Sequence, residues 1–140
     1  KAREKMAEAS IVAGVAFSHP RTTGSHACSF PLTNIYGLPH GEACAFTLDY
    51  FLKFNAEHAD GDGRITALAK DCGFNDAFEM ADEITAMKKR MGMRCKLSEI
   101  GCETDEQIDE LTKKSMSMLM TRNPITLTQK DIKEMYIKLK

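Results

Sequence analysis

The run Ser25-His26-Ala27-Cys28-Ser29-Phe30-Pro31-Leu32-Thr33-Asn34-Ile35-Tyr36-Gly37-Leu38-Pro39-His40-Gly41-Glu42-Ala43 decides how this chain is read. From Thr22 to Gly41 there is no Asp, Glu, Lys or Arg, and there are two prolines and three glycines. The pattern predicts a short helix from about Gly24 to Thr33, a turn at Tyr36-Gly37, and a second helix opened by Pro39. Proline suits a first helical turn because its absent N–H would be unpaired there anyway. His40 then stands in the first turn of a long helix reaching about His58. The thirteen residues between His26 and His40 suffice to turn back and bring two imidazoles to about 2.0–2.2 Å from one ion. Partial positive charge at a helix start disfavours imidazolium and keeps a lone pair free for metal. A packing role for the two rings stays open, because a metal site wants three or four ligands and only two are plain here.

Outward from this run, helix signals dominate. An alanine-rich helix is expected over 2–17, with Ser10, Gly14 and Ser18 forming a narrow ridge on which another helix can settle. Further helices are expected at about 63–72, 76–92, 105–121 and 129–139. Thr104 with Gln107 and Thr128 with Asp131 have capping-box spacing. Ile132, Met135, Tyr136 and Leu139 make one apolar stripe. Gly73, Gly92 and Gly101 fall where helices should end. The fold class is all-α, a helical bundle of about six to eight helices, in one domain over 1–140.

Charge is nearly balanced, 20 acidic against 19 basic residues, which gives no nucleic-acid or membrane footprint. Lys88-Lys89-Arg90, with Arg94 and Lys96, reads as a solvated helix end. Five cysteines, an odd number without a C-x-x-C pair, point to reduced thiols and a cytoplasmic setting. Cys28 and Cys44 lie near the histidines, and small packing residues are the preferred reading of both. The nine methionines read as core filler. Asp60-Gly61-Asp62-Gly63 would place Ala69 where a calcium loop needs a bidentate glutamate, so it reads as a tight turn. Glu42 and Asp49 are carboxylates with structural rather than catalytic roles, and His19 and His58 read as surface residues. No dinucleotide or phosphate loop motif is present. The chain begins with Lys1 and an uncapped helix, so Lys1 is not expected to be the natural start.

The residues resemble the C-terminal helical half of iron-containing (group III) alcohol dehydrogenases over nearly the whole chain. The resemblance is carried by Ala2-Arg3-Glu4-Lys5-Met6, Ala9-Ser10, Ala13-Gly14-Val15-Ala16-Phe17 and the His26 stretch. It continues through Leu38-Pro39-His40-Gly41-Glu42-Ala43-Cys44-Ala45, Phe54-Asn55, Asn123-Pro124-Ile125-Thr126-Leu127-Thr128 and Asp131-Ile132-Lys133-Glu134-Met135-Tyr136. It implies a metal- and NAD(P)-dependent alcohol dehydrogenase or aldehyde reductase acting on small alcohols and aldehydes. An N-terminal α/β NAD(P)-binding domain, absent from this chain, would accompany the helical part. The resemblance makes His26 and His40 two ligands of Fe²⁺, or of Zn²⁺ or another divalent ion. The remaining Asp and His would come from a D-x-x-x-H element that this sequence does not contain. Many members carry a further histidine where this chain has Phe30, which would line the nicotinamide and substrate side without relaying a proton. Arg21-Thr22-Thr23 and Ser29-Phe30-Pro31-Leu32-Thr33 resemble members acting on phosphonoacetaldehyde, so that Arg21 would meet an anionic substrate group. Two alternatives are a zinc-dependent glycerol dehydrogenase- or dehydroquinate synthase-like enzyme, and a non-catalytic stand-alone helical interaction domain. Alone, the chain is expected to be inactive, to expose an apolar face around the histidines and to self-associate, with a homodimer as one outcome.

Overall fold

A computed structural model describes residues 1–140, and they form eight α-helices, two short 3₁₀ turns and no strand. The helices are α1 (Ala2–Phe17), α2 (Gly24–Tyr36), α3 (His40–Phe46), α4 (Leu48–Ala59), α5 (Arg64–Asp71), α6 (Ala77–Arg90), α7 (Asp105–Ser115) and α8 (Gln129–Lys138). The 3₁₀ turns are Leu97–Ile100 and Met118–Arg122. The capping boxes expected at Thr104/Gln107 and Thr128/Asp131 both form. Gly73, Gly92 and Gly101 all take the left-handed backbone that ends a helix, with φ of +90°, +69° and +78°.

Helix α2 is the central element, packed against α3, α4, α7 and the second 3₁₀ turn. Its apolar face supplies Ala27, Cys28 and Leu32 to a core shared with Phe46, Leu111, Ile132, Met135 and Tyr136. The stripe expected on α8 is buried at Ile132, Met135 and Tyr136, with Leu139 packed at its edge. At Gly24 the absence of a side chain lets α2 begin directly against the bundle. A Cβ there would stand 2.8 Å from Leu127 Cδ1 and 2.9 Å from the Phe51 ring. This close approach sets the start of α2, and His26 follows two residues later.

The helix expected to run unbroken from Pro39 to His58 is instead two helices, interrupted at Thr47. The cause is Lys88, 2% exposed at the end of α6, whose Nζ donates to Ala45 O (3.1 Å) and Phe46 O (3.3 Å). Neither carbonyl then accepts from the amide four residues on. An inserted donor of this kind is a recognised way to break a helical ladder. Asp49 completes the insertion, accepting from Lys88 Nζ at 2.7 Å and from Thr85 Oγ1. Lys88 and Arg94 therefore correct the reading of a solvated basic run, while Lys89, Arg90 and Lys96 are exposed.

Two more expectations are revised. The helix predicted over 105–121 stops at Ser115, because Met116 is extended and the Ser117 hydroxyl caps a new 3₁₀ turn at Leu119 N. Of the nine methionines, only Met120 and Met135 are buried, and Met6, Met87, Met91 and Met118 are exposed. Helix α1 has the expected bounds, yet none of its residues is buried and nothing lies within 4 Å of a Cβ on Gly14. The small-residue ridge is thus bare, and Met6, Ile11, Val12, Val15 and Phe17 stand exposed.

Candidate metal centre

Gly37, at φ +70°, ends α2 and reverses the chain so that α3 packs back on α2. This turn brings His26, in the first turn of α2, beside His40, the first residue of α3. Their ring centroids are 5.1 Å apart in an edge-to-face arrangement. Cys44 lies one helical turn after His40, and its Sγ is 3.6 Å from His40 Nε2. One ligand atom from each of His26, His40 and Cys44 falls within 4.8 Å of the others. No other group of three or more His, Cys, Asp or Glu side chains in the chain converges in this way.

Ser29, wholly buried, links the two histidines. Its Oγ donates to His26 O at 2.8 Å and lies 3.4 Å from His40 Nδ1. A hydroxyl has one proton, so with that proton on the carbonyl Oγ accepts from Nδ1–H. Nε2 then keeps its lone pair, facing Cys44. One hydroxyl thereby ties the backbone of one histidine to the ring of the other, which is how protein partners fix the orientation and tautomer of ligating imidazoles. Burial, and then the neighbouring His40, hold His26 below its ordinary pKa, which favours the neutral ring that can donate to a metal. Burial pushes the Cys44 thiol up, so it carries its proton until something replaces it. The donor set fits a divalent metal.

The other residues singled out in the sequence divide clearly. Phe30 stacks 6.2 Å from the His40 ring and is 49% exposed, so an apolar wall stands beside the histidines and opens to solvent. Arg21 lies in the turn before α2 with a left-handed backbone, φ +68°, and its N–H donates to Phe17 O. Arg64, Arg90 and Arg94 are taken up in ion pairs, and Arg21 is not. Glu42 is gripped by Arg94 through both carboxylate oxygens and the Arg94 backbone N–H, at 2.7–2.9 Å. These bonds hold its carboxyl at about 2, a structural carboxylate as expected. Asp49 serves Lys88 and Thr85. His19 and His58 are exposed, and His58 stacks on Phe54. A cleft of about 460 Å³ is lined by Tyr50, Lys53, Phe54, Glu57, His58, Asp131, Glu134 and Lys138, without His26 or His40. The reading from sequence missed Ser29 and set Cys44 aside. The available signal was spacing: Ser29 is three residues after His26 and Cys44 four after His40, each on its histidine's helix face.

Residues 1–139 match the model of the Fe-containing alcohol dehydrogenase family, C-terminal. An alcohol dehydrogenase from Thermococcus barophilus is 32% identical over 139 residues, which cover 97% of this chain and 36% of that protein. The crystal structure of sulfoacetaldehyde reductase from Bifidobacterium kashiwanohense, in complex with NAD⁺, superposes with a TM-score of 0.92 at 49% identity. That match covers 99% of this chain and 36% of the other. The iron-containing alcohol dehydrogenase from Thermococcus thioreducens gives a TM-score of 0.76 at 29% identity, over 91% of this chain and 34% of that one. The chain thus spans about a third of the length of these relatives. No helix is long and apolar enough to cross a membrane. With its family model matched from end to end and its helices superposing on solved members, the chain belongs to the Fe-containing alcohol dehydrogenase family, of which it represents the C-terminal helical part.

Proposed function

We propose that this chain is the metal-binding helical part of an NAD(H)-dependent alcohol dehydrogenase or aldehyde reductase, with His26 and His40 as metal ligands. The dinucleotide would be held by an α/β domain outside these residues. The observation that carries the reading is the convergence of two imidazoles, the His40 ring held by the buried Ser29, next to an exposed apolar wall at Phe30. When bound, the metal supplies Lewis acidity at the substrate oxygen and the nicotinamide supplies the hydride chemistry. This chain's residues prepare that site. Burial, and then the neighbouring His40, favour the neutral form of His26, and Ser29 holds the His40 ring. Phe30 excludes water from one side and has no proton to give, so proton transfer runs through other groups.

The substrate class proposed is a small aldehyde with an acidic group. It is favoured by the 49% identity to a sulfoacetaldehyde reductase, against 29% to the Thermococcus thioreducens enzyme. Arg21 is the candidate for the anionic end, since no carboxylate of this chain engages it. The test follows NADH consumption by the protein that carries this chain, with sulfoacetaldehyde and propionaldehyde as substrates. His40→Ala is expected to abolish both activities together with bound metal. Arg21→Ala is expected to raise KM for sulfoacetaldehyde and leave propionaldehyde unchanged. Full activity of His40→Ala would sink the metal reading. Equal effects of Arg21→Ala on both aldehydes would sink the anionic-substrate reading alone.

A further inference from the structure

We infer that the cleft between α4 and α8 binds a small organic cation, one with an alkylammonium or quaternary ammonium head. The cleft uses neither His26 nor His40, so the inference stands apart from the reading of the metal centre. Tyr50, Phe54 and His58 recur every fourth residue on α4, so their rings leave one face of the helix. The Tyr50 and Phe54 rings are 6.2 Å apart at an interplanar angle of 19°, and those of Phe54 and His58 are 4.4 Å apart at 24°. They form an aromatic wall on a cleft of about 460 Å³, a volume within the range of small-molecule sites. Asp131, Glu134 and Lys138, at i, i+3 and i+7 on α8, line the cleft from the other side, and Glu57 joins them from α4. The Lys138 ammonium stands 5.5 Å from the centre of the Tyr50 ring, within the distance at which an aromatic face attracts a cation. One cation of the chain itself therefore already uses this wall. The carboxylates are not consumed elsewhere. Glu57 meets His58 at 3.9 Å and Glu134 meets Lys130 at 3.8 Å, both beyond hydrogen-bond distance. Asp131 caps α8 through Oδ2, which accepts from Thr128 N and Oγ1. Lys53, the second lysine at the cleft, is drawn away to Asp82 at 2.6 Å. Burial, then Glu134, Asp131 and Glu57, push the Tyr50 pKa up, so the field of three carboxylates meets at one phenol. An aromatic wall under a negative field holds a cation that can lay alkyl groups on the rings, which Na⁺ cannot do. Lys138 is then the internal competitor of the ligand.

The test is calorimetric titration of the protein that carries this chain with tetramethylammonium chloride. That ion has neither hydroxyl nor carbonyl, so it is no substrate for alcohol or aldehyde chemistry. Sodium chloride at the same ionic strength and sodium phosphate are titrated in parallel. Saturable binding of tetramethylammonium is expected, with none of Na⁺ or phosphate. Phe54→Leu is expected to weaken it by about threefold or more, the loss of one cation–π contact. Glu134→Gln, at a side chain 53% exposed and therefore harmless to folding, is expected to weaken it by about twofold. Lys138→Met is expected to tighten it by about threefold by removing the competitor, a gain that a merely structural lysine would not give. His40→Ala is expected to leave it unchanged. Absence of saturable tetramethylammonium binding overturns the inference. Binding that is unchanged in both Phe54→Leu and Glu134→Gln places the cation elsewhere and overturns it too. Phosphate binding that Lys138→Met abolishes makes the cleft an anion site and overturns it as well.

Discussion

Ser29 shows how much one buried hydroxyl can decide. Its position is set by helix spacing, but its effect depends on α3 folding back over it, which the turn at Gly37 brings about. Removing the hydroxyl leaves the His40 ring without its Nδ1 acceptor. Ser29→Ala is expected to weaken Co²⁺ binding by about tenfold, within the usual range for loss of a partner behind a metal ligand. Competition with a chelator measures this, and an unchanged affinity would show that the ring is oriented by packing alone. Asp60 is a second case at this scale. Its carboxylate accepts from Ile65 N, Thr66 N and Thr66 Oγ1, closing the start of α5 across the Gly61–Gly63 turn. The Thr66 hydroxyl, followed by the two backbone N–H groups, lowers its pKa from the ordinary 3.8. A carboxyl depressed on folding stabilises the fold above its unfolded pKa and loses that contribution as pH falls through the folded value. Urea midpoints are therefore expected to drop as the pH is taken below the ordinary aspartate range, and Asp60→Asn to flatten part of that drop.

At the scale of elements, the break between α3 and α4 is imposed by α6. The Lys88 ammonium occupies carbonyls that a continuous helix would use, and Asp49 neutralises it in a nearly dry setting, with side chains 3% and 13% exposed. Removing one partner from a buried pair strands the other charge, at a cost of about 3–5 kcal/mol. Lys88→Ala is expected to destabilise the chain by about that amount in urea unfolding. A loss below about 1 kcal/mol, the level of an exposed surface pair, would mean that water reaches the site and that the network does not hold the break. The break also shapes the metal site, because α3 is a separate seven-residue helix that lies against α2 rather than the first turns of a long rod. Glu42, tied to Arg94, holds the start of α3 to the segment after α6 from the other side.

For the whole molecule, the notable asymmetry is between α1 and the rest. Sixteen residues form a helix that buries none of them, while α2, α3, α4, α7 and α8 share a common core. Isolated helices of this length are marginal in water, since nucleation is costly and propagation returns little per residue. Amides of α1 are therefore expected to exchange with deuterium far faster than those of α2, α7 and α8 in the 140-residue chain. Protection of α1 comparable to α2 would mean that its exposed Met6, Ile11, Val12 and Val15 are covered by another surface. Beside the histidines the exposed Phe30 stacks on the His40 ring, and a separate exposed apolar face lies on α1.

The local chemistry of the sequence determined the helices, most of their ends and the candidate histidine pair. Capping boxes, glycines in left-handed conformations and the apolar stripe of α8 act through neighbours three or four residues away, so they are legible in one dimension. The resemblance to iron-containing alcohol dehydrogenases gave His26 and His40 their roles as ligands, since spacing alone left a packing role open. Tertiary structure decided the rest. The partners of Lys88 and Arg94 lie on other elements, and no periodicity announces them. The short α3, the shortened α7, the exposed methionines and the Ser29 bridge all follow from which surfaces meet. That depends on packing geometry across distant segments, not on the preferences of any one of them.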